Sequence, residues 1–232
     1  MNPARLWKKL VRNYRDYGWQ AVAKTGKALL SPLYQRNVYR IYVLDLQSPR
    51  IPPLEPRADL ELVLVSPRQH RLIEQIEDSA EWLQGEVAAR LEAGDLCLAA
   101  VQGDTLAGFN LIAFGEAYIP LLKLKRRFRP GTAWSEHIAV MPAFRRGGVA
   151  KAIRLRVFAE LAGRGIRKLY GGALSNNHPS LRLARSLGFR DLADVTYLKL
   201  GTRKSWRYRR CIGQRAVAQA ATSDATRFVE ST

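Results

Sequence analysis

Arg145, Arg146, Gly147, Gly148, Val149 and Ala150 fall where an extended run, residues 134–141, gives way to a helical pattern over residues 146–163. A helix start leaves backbone N–H groups without intrahelical partners and carries partial positive charge. Glycines there let an oxyanion reach the backbone with no Cβ in the way, and flanking arginines add charge. The chemistry this predicts is the binding of a phosphate or pyrophosphate. A tight strand-to-helix turn with solvated arginines accounts for the same six residues, because short glycine motifs specify little alone. Neither G-x-x-x-x-G-K-[ST] nor the dinucleotide spacing G-x-G-x-x-G occurs in the chain.

The elements that must position this segment alternate along the chain. Residues 59–65, 95–101, 105–114, 134–141 and 167–174 are rich in apolar and β-branched residues and predict strands, and 189–200 is strand-rich. Gln102-Gly103-Asp104 is a hairpin signal between two of them. Residues 67–76, 80–93, 146–163 and 179–187 predict helices, the third with Val149, Ile153, Val157 and Leu161 on one stripe. An apolar-basic insertion occupies 117–131. This order predicts an α/β (α+β) fold with a central mixed sheet flanked by helices. The domain is expected over residues 58–200. Residues 1–57 form a basic extension with amphipathic helices at 3–24 and 21–30, a strand at 38–46 and a proline-rich connector at 48–57. Residues 201–232 read as a tail, basic and then polar, with disorder expected beyond about Gly213.

The six-residue motif and its surroundings resemble the GCN5-related N-acetyltransferase (GNAT) superfamily. That family's cofactor motif, [QR]-x-x-G-x-[GA], is matched by Arg145 through Ala150. Its lead-in is similar to Ile-Ala-Val-Met-Pro-Ala-Phe at 138–144. A second motif resembles residues 177–189: an asparagine, a small residue three later, and a terminal Leu-Gly-Phe. The likeness covers roughly residues 59–200. It implies a sheet splayed at the cofactor strand and transfer of an acetyl or other acyl group to the primary amine of a small molecule or amino sugar. It also implies residue roles. The N–H groups of Arg146 through Ala150, in the motif opened by Arg145, would hold the pyrophosphate of acetyl-CoA. Ala139 and Val140 would pair along its pantetheine arm, and Asn177 and Ser180 would bond the arm or steady the loop beside it. A helix N-cap is an equally open role for Asn177. No metal is implied.

One position departs from the family. Many members carry a tyrosine seven residues after the motif asparagine, as proton donor to the leaving thiolate, and here that residue is Ala184. Tyr170 and Tyr197 are near in sequence. The departure leaves room for a non-catalytic, acetyltransferase-like binding module, and the charge for a longer acyl donor or an acyl carrier protein. A general base is also needed, because attack on a thioester requires a neutral amine. Strand alternation puts Trp134, Glu136, Ile138 and Val140 on one face, with His137 opposite. Glu136 is the candidate base, and a histidine occupies the similar position in relatives that act on arylalkylamines. Its alternative role is a surface ion pair with an arginine. His137 is expected to be structural, and His178 and His70 solvated.

Composition bounds the partners. The 232 residues carry a net charge of +18 and are 47% hydrophobic, a globular composition with a strong field for anions. Two cysteines build neither a disulfide framework nor a metal site. No apolar run reaches the roughly 18 residues of a membrane span, and the N-terminus lacks the apolar core of a signal peptide. These features predict a cytoplasmic protein. Residues 1–34 pair Trp7, Trp19 and an apolar stripe with a basic face, the pattern of a helix lying on an anionic membrane, at the inner face in this compartment. The same stripe suits packing on the domain or on a second copy, as in a homodimer. Arg203, Lys204, Arg207, Arg209 and Arg210 surround Trp206 and Tyr208, but no nucleic-acid fold accompanies them, so nucleic acid ranks third.

Overall fold

The structure, a computed structural model, describes residues 33–47, 59–79 and 83–211. The expected helices at 3–24 and 21–30, the proline-rich connector and the end of the tail lie outside the described residues. The elements run β1 (Tyr34–Asp45), β2 (Glu61–Leu64), α1 (His70–Asp78), α2 (Val87–Glu92), β3 (Leu96–Gln102), β4 (Thr105–Phe114), β5 (Glu116–Ile119), β6 (Leu124–Arg127), β7 (Thr132–Val140), α3 (Val149–Gly163), β8 (Lys168–Leu174), α4 (His178–Ser186), β9 (Arg190–Leu200) and β10 (Arg203–Arg210). Eight strands form one sheet in the order β10-β9-β1-β8-β7-β4-β3-β2. Among the described strands, β7 and β8 pair in parallel and the remaining pairs are antiparallel. The mixed sheet with helices on its faces is the expected class.

Each face of the sheet buries its own set of side chains. On one, α3 and α4 pack Val149, Ile153, Val157, Leu161 and Leu181 against Tyr42, Leu44 and Phe189. On the other, α1 and α2 pack Ile73, Ile76, Val87 and Leu91 against Cys97, Phe109 and Leu111. Beside that cluster, the β5–β6 hairpin covers Tyr39, Ile41, Val43, Trp134 and Tyr197 with Ile119, Leu122 and Leu124. The insertion therefore has secondary structure of its own and acts as a cover for the sheet.

Two segments differ from the sequence expectation. Residues read as a strand of the N-terminal extension form β1, hydrogen-bonded to β8 on one side and β9 on the other. Tyr39, Ile41 and Val43 face the hairpin while Tyr42 and Leu44 face the helices, so β1 is apolar on both sides as an interior strand must be. The Arg40 guanidinium ties β1 to β9 through Asp194 at 2.6 Å and Asp191 at 2.9 Å. Residues 203–210, read as tail, form β10, paired with β9 from Arg203↔Leu200 to Arg210↔Ala193. Trp206 anchors it, its ring 5.6 Å from Tyr197 and its indole N–H donating to the Leu122 carbonyl at 2.8 Å.

Candidate active site

β7 departs from simple alternation in its middle. Its register against β4 pairs Leu111 with His137 and Ile112 with Ser135, which leaves Glu136 as the extra residue of a β-bulge. Asn110, fully buried on β4, holds the bulge: its Nδ2 donates to the Ser135 hydroxyl at 3.1 Å and to the His137 carbonyl at 2.9 Å. The inserted residue reverses the parity of the strand. Trp134 faces the hairpin cluster, whereas Ile138 and Val140 pack toward α3. The expectation that Trp134, Glu136, Ile138 and Val140 share a face is corrected by this bulge. His137 packs its ring on Phe109, 5.6 Å between centroids, and burial lowers its pKa.

Glu136 is turned toward α2, where the Arg90 guanidinium donates to it. Arg90 also donates from Nε and Nη2 to Asp95 Oδ2, at 3.0 and 2.8 Å, and Asp95 Oδ1 accepts from the Phe114 N–H. The Glu136 side chain is only 8% exposed. Burial raises its pKa, and the Arg90 cation offsets only part of that rise. Arg90 in turn loses solvation on burial, but its bonds to Glu136 and Asp95 outweigh that and keep it charged. A carboxylate pushed upward this way is closer to the range in which it can accept a proton at neutral pH.

β7 and β8 separate beyond the bulge. Their parallel pairing runs from Thr132↔Lys168 to Ser135↔Gly171 and goes no further, although β7 continues to Val140 and β8 to Leu174. Opposite this gap β1 presents Tyr39 and Tyr42, and β8 presents two glycines. A Cβ on Gly171 would lie 2.7 Å from the Tyr42 ring, and one on Gly172 would lie 2.9 Å from the Arg40 carbonyl. A cavity of about 440 Å³ occupies the gap. Its wall includes Arg154, Asn177 and Ser180 from the α3–α4 face, Ser135 through Ile138 from β7, and Tyr39 with Ile119 through Leu121 from the hairpin face. It therefore passes between the two strands from one side of the sheet to the other. Glu136 also lines a second cleft, of about 570 Å³, beneath α2 and the hairpin. There Glu86, Asp95, Glu116 and Glu136 outnumber Arg90 and Lys125.

The end of β7 leads directly into the glycine segment. A single 3₁₀ turn at Pro142–Phe144 follows, and Arg145 Nε returns to the Val140 carbonyl at 3.3 Å. Arg146 and Gly148 both take the left-handed conformation, with φ of 66° and 77°. Gly148 is the N-cap of α3, and no side chain caps the helix. The first-turn N–H groups of Val149 and Ala150 thus head a 15-residue helix with its positive end toward the C-terminus of β7. Asn177 serves as N-cap of α4, its Oδ1 accepting from the Ser180 N–H at 3.3 Å, and both residues line the cavity. Ala184 is buried in the core on the same helix.

The sequence-predicted residues fall into one neighbourhood: Ala139 and Val140 on the unpaired edge of β7, Arg145 through Ala150 at its end, Asn177 and Ser180 across the gap, and Glu136 at the bulge. Sequence reasoning missed Arg90, Asn110, Arg154 and the two tyrosines of β1. A signal existed for two of them. Asn110 is a lone polar residue in an apolar strand, and Arg154 shares helical spacing with Phe158 and Leu161. Among the described residues, no group of three or more His, Cys, Asp or Glu side chains is placed to hold a metal ion.

Residues 55–189 match the model of the acetyltransferase (GNAT) family. Comparison with curated proteins finds no match. Several solved structures are similar in fold. A GCN5-related N-acetyltransferase from Sphaerobacter thermophilus is 17% identical with a TM-score of 0.54, over 81% of this chain and 57% of that one. A GNAT-family acetyltransferase from Novosphingobium aromaticivorans is 19% identical with a TM-score of 0.51, over 72% and 66%. A tandem GNAT protein from the clavulanic acid biosynthesis pathway is 16% identical with a TM-score of 0.52, over 79% and 59%. The chain thus spans less than two thirds of the length of each.

Proposed function

Because this chain belongs to the acetyltransferase (GNAT) family, we propose that it moves an acyl group from a coenzyme A thioester, acetyl-CoA in the simplest case, to a primary amine, with the gap between β7 and β8 as the reaction channel. The observation that carries this reading is the cavity at the place where the strands part, lined by Arg154, Asn177 and Ser180 of the helix face and by Glu136 of β7. The thioester supplies an activated carbonyl carbon. The chain's own groups would bind, align and deprotonate. The N–H groups of Arg146 through Ala150 at the α3 start suit a pyrophosphate, with Arg145 and Arg146 adding charge. The unpaired edge at Ala139 and Val140 offers backbone groups to the amides of the pantetheine arm. Asn177 and Ser180 form the opposite bank.

Glu136 would take the proton of the attacking amine, directly or through water. The new C–N bond expels the thiolate with its electron pair, and the amine proton passes to the carboxylate. The carboxylate-rich second cleft, which shares Glu136 with the channel, suits an acceptor that arrives as an ammonium ion, amino sugars included. The basic segment 1–34 would bring the chain to the anionic inner face of a membrane. The test is a screen of amine acceptors with acetyl-CoA, read by free thiol and by mass of the product. Thiol release that depends on the amine, with an acylated amine as product, is expected. Coenzyme A binding without amine-dependent release from any thioester would leave a non-catalytic binding module instead.

A further inference from the structure

Arg154 is a buried charged group of the cavity wall that the proposed chemistry does not use. It lies on α3, facing the sheet, and is only 2% exposed. Its Nε and Nη1 are buried without a hydrogen-bond partner, and its guanidinium carbon lies 5.3 Å from the centroid of the Phe189 ring. The same side chain lines the cavity between β7 and β8. The one carboxylate in that lining, Glu136, is bonded to Arg90. A buried cation with unmet donors is costly to a fold, and a ring face compensates only part of the lost solvation. Such a charge makes physical sense where a ligand supplies the anion.

The position of Arg154 narrows which anion. Gly148 and Arg154 are six residues apart, about 9 Å along a helix axis at roughly 1.5 Å per residue. The phosphates have their own cradle at the helix start, and Arg154 lies farther in, where the cavity crosses the sheet. An acetyl group is neutral and would leave the guanidinium unanswered. We propose that Arg154 recognises the acyl group itself, and that the preferred donor is a coenzyme A thioester whose acyl chain ends in a carboxylate, of the malonyl, succinyl or glutaryl kind. The inference rests on reading the cavity as the donor site. A guanidinium fork and a carboxylate make paired N–H···O bonds that fix orientation as well as supplying affinity. Transfer is otherwise unchanged: the amine nitrogen bonds the thioester carbon, the C–S bond breaks toward sulfur, and the distal carboxylate is a spectator. The product is an amide that carries a free carboxylate where the acceptor had an ammonium.

Calorimetric titration of the full chain with coenzyme A, acetyl-CoA, malonyl-CoA, succinyl-CoA and glutaryl-CoA tests this without knowledge of the acceptor. The best carboxylated thioester is expected to bind about 10- to 100-fold more tightly than acetyl-CoA, the scale of a charge-assisted hydrogen bond. Arg154→Met should erase that preference, lowering affinity for the carboxylated thioesters far more than for coenzyme A or acetyl-CoA. The methionine variant should melt no lower than the wild type, because an unpaired buried charge is replaced by an apolar side chain. Arg154→Lys should retain part of the preference, keeping charge without the fork. Equal affinity of the wild type for acetyl-CoA and every carboxylated thioester overturns the proposal and leaves the donor site standing. Failure of coenzyme A itself to bind overturns both. A preference that survives in the methionine variant, or loss of all binding in that folded variant, overturns the assignment to Arg154.

Discussion

Glu136 stands where the channel and the carboxylate-rich cleft meet, and its ionisation should be visible in the kinetics. Burial raises its pKa and Arg90 opposes the rise, so the ionised base is lost at a higher pH than a solvated glutamate on acidification. The acid limb of kcat/KM should therefore lie above the usual glutamate value of about 4.3. Arg90→Met removes the opposing cation and should move that limb to still higher pH. Glu136→Gln should lower turnover by about 10²–10⁴-fold, the scale of general-base loss, with acetyl-CoA affinity unchanged. A glutamine variant of near wild-type turnover would reduce Glu136 to the ion-pair partner of Arg90. Gly148 carries a different kind of demand, because its φ of 77° disfavours any side chain. Gly148→Val should cost about 1–2 kcal/mol of stability and, in the fraction that stays folded, block coenzyme A. Undiminished coenzyme A affinity would move the phosphate site elsewhere.

The bulge on β7 is the element on which the site turns. A strand of uninterrupted alternation would aim Glu136 with Ile138 and Val140 toward α3, away from Arg90. One extra residue, pinned by Asn110, sends Glu136 toward Arg90 while keeping Ile138 and Val140 apolar and packed. Asn110→Ala leaves the Ser135 hydroxyl and the His137 carbonyl short of a donor in a buried place. Thermal or denaturant unfolding should show a loss of about 1–3 kcal/mol. Turnover should fall with it, more than coenzyme A affinity does, because the bulge aims the base and not the phosphates. An unchanged melting point and rate would show that the backbone holds the bulge unaided. The bulge also marks where sequence reasoning stopped. Glycines at a helix start announce themselves locally, so the loop and the order of elements around it were readable. Glu136 was readable as a charge in an apolar strand. Its direction was not, because parity depends on register against β4, a pairing between residues about 25 positions apart. Arg154 escaped notice because a charge on a helix ordinarily reads as solvated, although its spacing with Phe158 and Leu161 put it on the buried stripe that packs on Phe189.

At the scale of the whole molecule, β1 binds the N-terminal region to the sheet that forms the channel. Its pairing with β8 and β9 joins strands more than 120 residues away, which no local pattern reveals. The placement also decides how the membrane proposal must be tested. Removal of residues 1–32 deletes the tryptophan-bearing basic segment and spares β1, whereas a cut at Val38 would remove part of an interior strand. Residues 1–40 hold nine basic residues and one acidic, a net +8. The full chain should pellet with anionic vesicles, and salt should weaken the binding, since exposed charges are screened over about 8 Å at physiological ionic strength. A chain starting at Leu33 that pellets equally well would assign the segment to protein contacts. The central claim, that acyl transfer runs through the gap between β7 and β8, is tested most directly by a crystal structure of the full chain with coenzyme A. The account predicts the pyrophosphate on the N–H groups of Arg146 through Ala150, the pantetheine amides paired to the edge at Ala139 and Val140, and the thiol in the cavity between Ser135 and Gly172. Coenzyme A bound with its thiol outside that gap would contradict it.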